Sequence, residues 1–263
     1  MTERQPGGPR AVAPTDGQRV DPRVVHLPQA RPEAVLVVYG IAHAGAGAAP
    51  WNPVAASAPP GVEVRALRLP GRENRITVPR HAGIDAAAGE LAGAIAADAA
   101  VHGKPVLVAG ACSGVLLGLP TLDRLRTAGV PVAGLLCLRP PTPDQVALTA
   151  GRGVALMSSA ALRSWLRDNR LTPPQVLDND MMYRFFEPVL RNDFAMIDGY
   201  RYGGGPLSCP IYLVRTRDAP DASAEEAWHG ATTGPVRCID LDVSGDPLTE
   251  HPRLVGELLG SLR

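Results

Sequence analysis

Apolar residues gather in short runs along the chain: Glu33 to Ile41, Val62 to Leu69, Pro105 to Ala109, Val132 to Leu138, Cys209 to Val214 and Val236 to Val243. The run EAVLVVYGI, ending at Ile41, is almost continuous and suits a strand buried on both faces. VEVRALRL, over Val62 to Leu69, alternates and reads as a strand with two unlike faces. Between these runs the period changes. Ile84 to Val101 is rich in Ala, with Ile84, Ala87, Leu91, Ile95 and Ala99 at helical spacing. Strands alternating with helices in this way predict an α/β fold, a mostly parallel sheet covered on both faces. From Ala150 to about Gly203 the alternation breaks and only helices are predicted. One carries Leu162, Trp165 and Leu166; the other runs from about Asp180 to Tyr200, with Pro188 expected to kink it. Met181, Met182, Phe185 and Phe186 are expected in the core, with ligand contact as the alternative. A short helix is expected from Ser223 to about Gly230, with Ser223 as N-cap and Glu226 in the capping-box place. A turn at Gly245-Asp246-Pro247 precedes a closing helix over about Glu250 to Leu262. Met1 to about Pro32 is rich in Pro, Gly, Arg and Gln and lacks periodicity, so 1–32 reads as a flexible leader. The folded domain is then 33–263, with a helical insertion over about 150–203.

A chain of 263 residues can hold a full α/β core. Lys and Arg together number 26, as do Asp and Glu, so no net charge points to nucleic acid or to an anionic membrane. No apolar run is long enough to span a bilayer, and the N-terminus has no signal-peptide h-region. The cysteines, Cys112, Cys137, Cys209 and Cys238, are widely spaced without a C-x-x-C pair. A disulfide framework and a zinc site are both disfavoured, which suggests a reducing cytoplasm and no metal. No cofactor is implied, and a monomer is expected.

The chemistry centres on Pro105 to Gly118, PVLVAGACSGVLLG. A strand-type run leads into Gly110-Ala111-Cys112-Ser113-Gly114, and a helix begins at once. This arrangement resembles the nucleophile elbow of α/β-hydrolases, G-x-S-x-G, with Cys112 where Ser is usual. Gly110 and Gly114 suit a turn too tight for a Cβ, and the elbow residue itself is strained. The Ser113 N–H, at the helix N-terminus, can help bind an oxyanion. Two other readings stay open: a plain tight loop between strand and helix, or Ser113 as nucleophile in a shifted frame. After the strand ending at Ile41, the small-residue loop Ala42-His43-Ala44-Gly45-Ala46-Gly47 is either a second oxyanion donor or a simple loop.

With these motifs the chain resembles the type II thioesterases, α/β-hydrolases that act on carrier-protein thioesters in polyketide and nonribosomal peptide assembly. His43-Ala44-Gly45 resembles their aromatic-Ala-Gly-Gly oxyanion loop. Leu69-Pro70-Gly71-Arg72-Glu73-Asn74-Arg75 matches L-P-G-R-E-x-R closely. Pro188-Val189-Leu190-Arg191-Asn192-Asp193-Phe194 is similar to the P-x-L-R-A-D-F stretch of the lid, and Tyr200-Arg201-Tyr202 follows it. Cys209-Pro210-Ile211 opens the strand before the catalytic acid, and Trp228 with Thr232 fits W-x-x-x-T. The resemblance implies an α/β-hydrolase fold with a helical lid over about 150–203. It implies an oxyanion site between the N–H groups of Ser113 and Ala44, with His43 beside it, and a catalytic acid at Asp218, with Asp221 the alternative. The implied partner is an acyl or peptidyl carrier protein bearing a phosphopantetheine-bound acyl chain.

Two departures from the family triad shape the expected chemistry. Cys112 replaces Ser, and Pro247 stands where the catalytic His belongs. A thiol, with a pKa near about 8.5, can ionise at a helix N-terminus without a base. If a base is used, His251 reaches back from one helical turn past Pro247, or His43 serves from the oxyanion loop. An acyl chain on Cys112 is itself a thioester and meets amines and carbanions readily relative to water. Thioesterase-like enzymes with Cys at this position include tetramate-forming Dieckmann cyclases. The lost His also argues against an ordinary editing hydrolase, which needs an activated water. The expected enzyme takes a carrier-bound acyl chain onto Cys112 and releases it by lactam, lactone or Dieckmann-type cyclisation or by hydrolysis. The alternatives are a polyketide cyclase that uses the pocket without a covalent step, or a catalytically silent accessory that binds a carrier protein.

Overall fold

The computed structural model describes residues 21–28, 31–140, 153–169, 171–200, 202–218, 226 and 228–262. Among them the strands β1 (Val24–His26), β2 (Leu36–Ile41), β3 (Val62–Leu67), β4 (Val106–Ala111), β5 (Val132–Leu138), β6 (Ile211–Thr216) and β7 (Val236–Leu241) form one sheet. Its order is β1-β3-β2-β4-β5-β6-β7. β1 pairs antiparallel with β3, and every other pair is parallel. The helices are α1 (Asn52–Ser57), α2 (Ile84–His102), α3 (Ser113–Thr127), α4 (Ser159–Asp168), α5 (Pro174–Leu177), α6 (Asp180–Asp198) and α7 (Pro252–Leu258).

The two-residue period of the strands divides the core. On β2, Val37, Tyr39 and Ile41 join a cluster with Leu91 and Ile95 of α2 and Val115 and Leu122 of α3. Leu36 and Val38 face the other way, toward Trp51, Val54 of α1 and Val255 of α7. β4, β5 and β6 split in the same manner, so the sheet is buried on both faces, as continuous apolar strands require. The register aligns the carboxyl ends of the strands: Ile41 opposite Gly110, Ala111 opposite Leu138, and Leu138 opposite Val214. Loops leaving that edge converge, which is where open parallel sheets build their sites.

The insertion between β5 and β6 has its own core of Val154, Leu162, Leu166, Leu177, Tyr183, Leu190 and Phe194. α6 runs as one element through Pro188. Its inward residues, Tyr183, Leu190 and Phe194, fall on one helical stripe. Met181 and Phe185 lie off that stripe and are 80% and 59% exposed. Met182 is exposed as well, so of the four residues expected in the core only Phe186 packs against the insertion's cluster.

Two further expectations are corrected. The leader does not extend to Pro32, because Val24–His26 is an edge strand with Val24 buried against the core. The closing helix starts at Pro252, after a turn, and tightens to a 3-10 turn at Leu259–Ser261. The helix expected from Ser223 lies largely outside the described residues, as do Met1 to Val20, residues 150–152 at the start of the insertion, Arg201 and Asp221. Trp228 and Thr232 are buried, and the Thr232 hydroxyl donates to the carbonyls of Leu207 and Cys209. No helix among the described residues is long and apolar enough to cross a membrane.

Candidate active site

β4 delivers Cys112 to the aligned carboxyl edge of the sheet. Its φ of 49° and ψ of −116° lie far from ordinary strand or helix values, as expected of a strained elbow. The Cys112 N–H donates to the Leu138 carbonyl at 3.0 Å, and its own carbonyl accepts from Val115 N–H at 3.1 Å, so strand and helix grip it from both sides. A Cβ on Gly110 would stand 2.6 Å from the Val115 nitrogen, and one on Gly114 2.5 Å from the Ile41 carbonyl oxygen. Both glycines are therefore required, and the frame centred on Cys112 is the one the backbone adopts. Cys112 as a residue is half-buried, its thiol is turned away from solvent, and the Ser113 N–H is directed at it.

The electrostatics of the thiol differ from the expectation. Burial pushes the Cys112 thiol up from its ordinary value; the Ser113 N–H pulls it down, Asp246 pushes it up and Arg139 pulls it down, and the net direction is up. Desolvation thus outweighs the Ser113 N–H and Arg139, and the resting group near neutral pH is the thiol rather than the thiolate. A proton acceptor therefore gains importance.

A small cleft, partly open to solvent, lies beside the elbow, lined among others by His43, Ala44, Arg72, Ser113, Leu117 and Asp193. Burial holds the His43 imidazole below its usual value, against Asp246 and Asp193, which raise it; Arg72 also lowers it. The ring is therefore neutral at neutral pH. Its Nδ1 is buried without a hydrogen-bond partner among the described residues. The Ala44 N–H likewise has no acceptor among the described residues.

Asp218 and His251 are engaged elsewhere. Asp218 accepts the Thr216 hydroxyl at 2.8 Å and the Gly245 N–H at 3.1 Å, and Arg139 approaches it at 3.4 Å. These bonds hold its carboxyl below the usual value while its side chain stays 42% exposed. The His251 Nε2–H donates to the Ser244 carbonyl at 2.7 Å, which leaves Nδ1 as the ring's acceptor. Both residues thus brace the turn after β7. Among the described residues, no hydrogen bond joins them to each other or to Cys112. Ser113, His43 and Ala44 line one cleft, and Cys112 adjoins it through Ser113.

Several residues of the site were not singled out by chemistry in the sequence. Arg72 donates Nε–H to the Ala46 carbonyl at 2.8 Å and Nη1–H to the Pro70 carbonyl at 3.1 Å, and pairs through Nη2 with Asp193 of α6. Asp193 Oδ2 also accepts the Gly45 N–H at 2.7 Å. Glu73, at φ 48°, accepts the Ala48 N–H at 2.8 Å and pairs with Arg68. The loop after β2 is thus tied down at Gly45, Ala46 and Ala48. The signal in the sequence was the charge packed into Leu69–Arg75 and around Asp193, between apolar neighbours that mark both stretches for burial.

The comparisons with known proteins bear on the family and the fold. The sequence model of the family described as Thioesterase domain matches residues 38–242. A probable cadicidin biosynthesis thioesterase of Streptomyces griseus is 30% identical over 223 residues, which cover 80% of this chain. The chain spans 57% of that relative's length. Among solved structures, the type II thioesterase BorB from the borrelidin biosynthetic cluster superposes with a TM-score of 0.79 at 28% identity, over 94% of this chain and 100% of BorB. The RedJ thioesterase from the prodiginine pathway of Streptomyces coelicolor has the same fold, with a TM-score of 0.74 at 22% identity over 97% of each chain. The chain belongs to the thioesterase family.

Proposed function

We propose that this protein processes carrier-bound acyl thioesters of a polyketide or nonribosomal peptide pathway, taking the acyl chain onto Cys112. The observation that carries the reading is a strained Cys112 with the Ser113 N–H directed at its sulfur, beside a loop whose Ala44 N–H has no acceptor among the described residues. The pathway setting is supported by the relatives, one a probable cadicidin biosynthesis thioesterase and one the type II thioesterase of the borrelidin cluster. The partner in this reading is a carrier protein whose phosphopantetheine arm brings the thioester to the cleft, in the cytoplasm.

The Cys112 sulfur attacks the thioester carbonyl carbon as its proton passes to a base. His43 suits that role, being neutral, on the cleft beside Ser113 and without a hydrogen-bond partner at Nδ1 among the described residues. His251, whose Nε2–H is held by the Ser244 carbonyl, is the alternative base. Negative charge collects on the carbonyl oxygen between the N–H groups of Ser113 and Ala44. The carbon–sulfur bond to pantetheine then breaks, and the departing sulfur takes the proton back from the base. One thioester replaces another, so the exchange is close to neutral in energy. An amine, hydroxyl or stabilised carbanion within the chain then attacks the Cys112 thioester and closes a ring, or water releases the acid, and the thiol is restored. Pro247, in place of a His that would activate water, favours ring closure.

A second reading is favoured by the raised thiol: the pocket holds the acyl chain and promotes its rearrangement while Cys112 stays protonated. Release of thiol from pantetheine-linked acyl thioesters, with products identified by mass spectrometry, separates the two. Covalent catalysis predicts that Cys112→Ala reduces release to background. Full activity in that variant contradicts it and supports the second reading. Carrier binding without turnover of any thioester would instead point to a silent accessory.

A further inference from the structure

One carboxylate joins the insertion to the oxyanion loop. Asp193 is 4% exposed, and its Oδ2 takes both the Gly45 N–H, at 2.7 Å, and the Arg72 guanidinium. The contact is close on the apolar side as well. Gly45 has φ +79°, and a Cβ there would lie 2.6 Å from Cδ2 of Leu190, one helical turn before Asp193. Ala44 packs against the insertion's apolar cluster. The loop's attachments to the sheet side are of a different kind: Arg72 Nε–H on the Ala46 carbonyl and Glu73 on the Ala48 N–H. Those hold the loop's far half. Gly45, next to the donor residue Ala44, is held by α6.

We infer that Asp193 is a positioning residue through which the seating of helix α6 sets the Ala44 N–H, so that the oxyanion site is complete only while the insertion lies closed on the loop. This rests on the reading that Ala44 and Ser113 bind the oxyanion. Peptide units are planar, so fixing the Ala44–Gly45 unit narrows the orientations open to the unit before it. When α6 lifts, Gly45 loses its acceptor, while Arg72 keeps the Ala46 carbonyl. Thioester cleavage is then confined to the closed state, after the acyl chain has entered.

The test compares wild type with Asp193→Asn, whose uncharged amide holds the Gly45 N–H more weakly and no longer neutralises Arg72, and with Leu190→Ala, which loosens the same contact without unpairing a buried charge. Amide exchange is followed over the peptide spanning His43 to Ala48 and over the elbow peptide. Kinetics on an acyl-pantetheine thioester and the rate of Cys112 alkylation by iodoacetamide, which uses no oxyanion site, are measured alongside. The inference predicts faster exchange in the loop and unchanged exchange at the elbow. It predicts kcat lower by about 10–100-fold in Asp193→Asn, as for a lost or misaimed oxyanion donor. KM and the alkylation rate should stay within about twofold of wild type. Leu190→Ala should move in the same direction by less, and it decides the matter if Asp193→Asn does not fold. Unchanged loop exchange, unchanged kcat, or alkylation falling in parallel with kcat overturns the inference. A wild type that releases no acyl chain while loop exchange still responds would overturn the catalytic reading of Ala44 and leave the mechanical link standing.

Discussion

Two opposite charges act on the Cys112 thiol from neighbouring ends of the sheet, Asp246 from the turn after β7 and Arg139 from the end of β5. Burial is the larger influence and raises the thiol; Asp246 adds to it, and Arg139 opposes it while sharing its charge with Asp218. The sign of each substitution follows. Alkylation of Cys112 should rise with pH through an inflection above that of an ordinary exposed thiol. Asp246→Asn removes an anion and should move the inflection down. Arg139→Gln removes a cation and should move it up. Rates of iodoacetamide alkylation against pH, with Cys112 followed by peptide mapping, check both; shifts of the same sign in the two variants would contradict the assignment. Pro247 was readable in the sequence as a missing His, but Asp246 beside it was not readable as a neighbour of Cys112, since only the folded turn brings them close.

At the scale of elements, α2 is pinned to the edge of the sheet through Asp98. The Tyr39 hydroxyl donates to it at 2.6 Å, Arg65 pairs with it, and His26 lies at 3.6 Å. Burial pushes the Asp98 carboxyl up, but the bonds from His26, Tyr39 and Arg65 and the Arg65 charge more than reverse this, holding it well below the usual carboxylate range. A carboxyl lowered in the folded state stabilises the fold above its unfolded value and loses that effect as pH falls. Asp98→Asn should therefore cost about 3 kcal/mol near neutral pH, as for a broken buried pair. The gap from wild type should close below about pH 4, where carboxyls protonate in the unfolded chain. Thermal melts of the two proteins across that range test this; a gap independent of pH would contradict it. His26 belongs to β1, the strand missed in the sequence. Three residues are too few to show a period, and Val24–His26 becomes a strand only because the edge of β3 offers partners. The long runs had no such difficulty: β2, β4 and β5 are apolar because both faces of the sheet are covered. The phase of α6 was misjudged for a related reason. Met181 and Phe185 look like core in a list of apolar residues, but the stripe through Tyr183, Leu190 and Phe194 leaves them outside.

At the scale of the whole molecule, alternating strands and helices were enough to predict a mostly parallel sheet with an insertion, and the elbow could be found from its glycines. The sequence could not convey how the parts are joined. Arg72 and Asp193 are 121 positions apart and meet only because the insertion folds back over the loop after β2. The same holds for Asp218, which the family pattern marks as the acid and which here secures the turn that carries Pro247. The central claim is that this assembly makes Cys112 an acceptor of acyl chains. The most direct test is the intact mass of the protein after incubation with a panel of acyl-pantetheine thioesters, wild type beside Cys112→Ala. The account predicts an increase by the mass of the acyl group on the wild type, mapped to the peptide containing Cys112, and none on the variant. Release of the acyl chain at equal rates by both proteins, with no adduct on either, would contradict it.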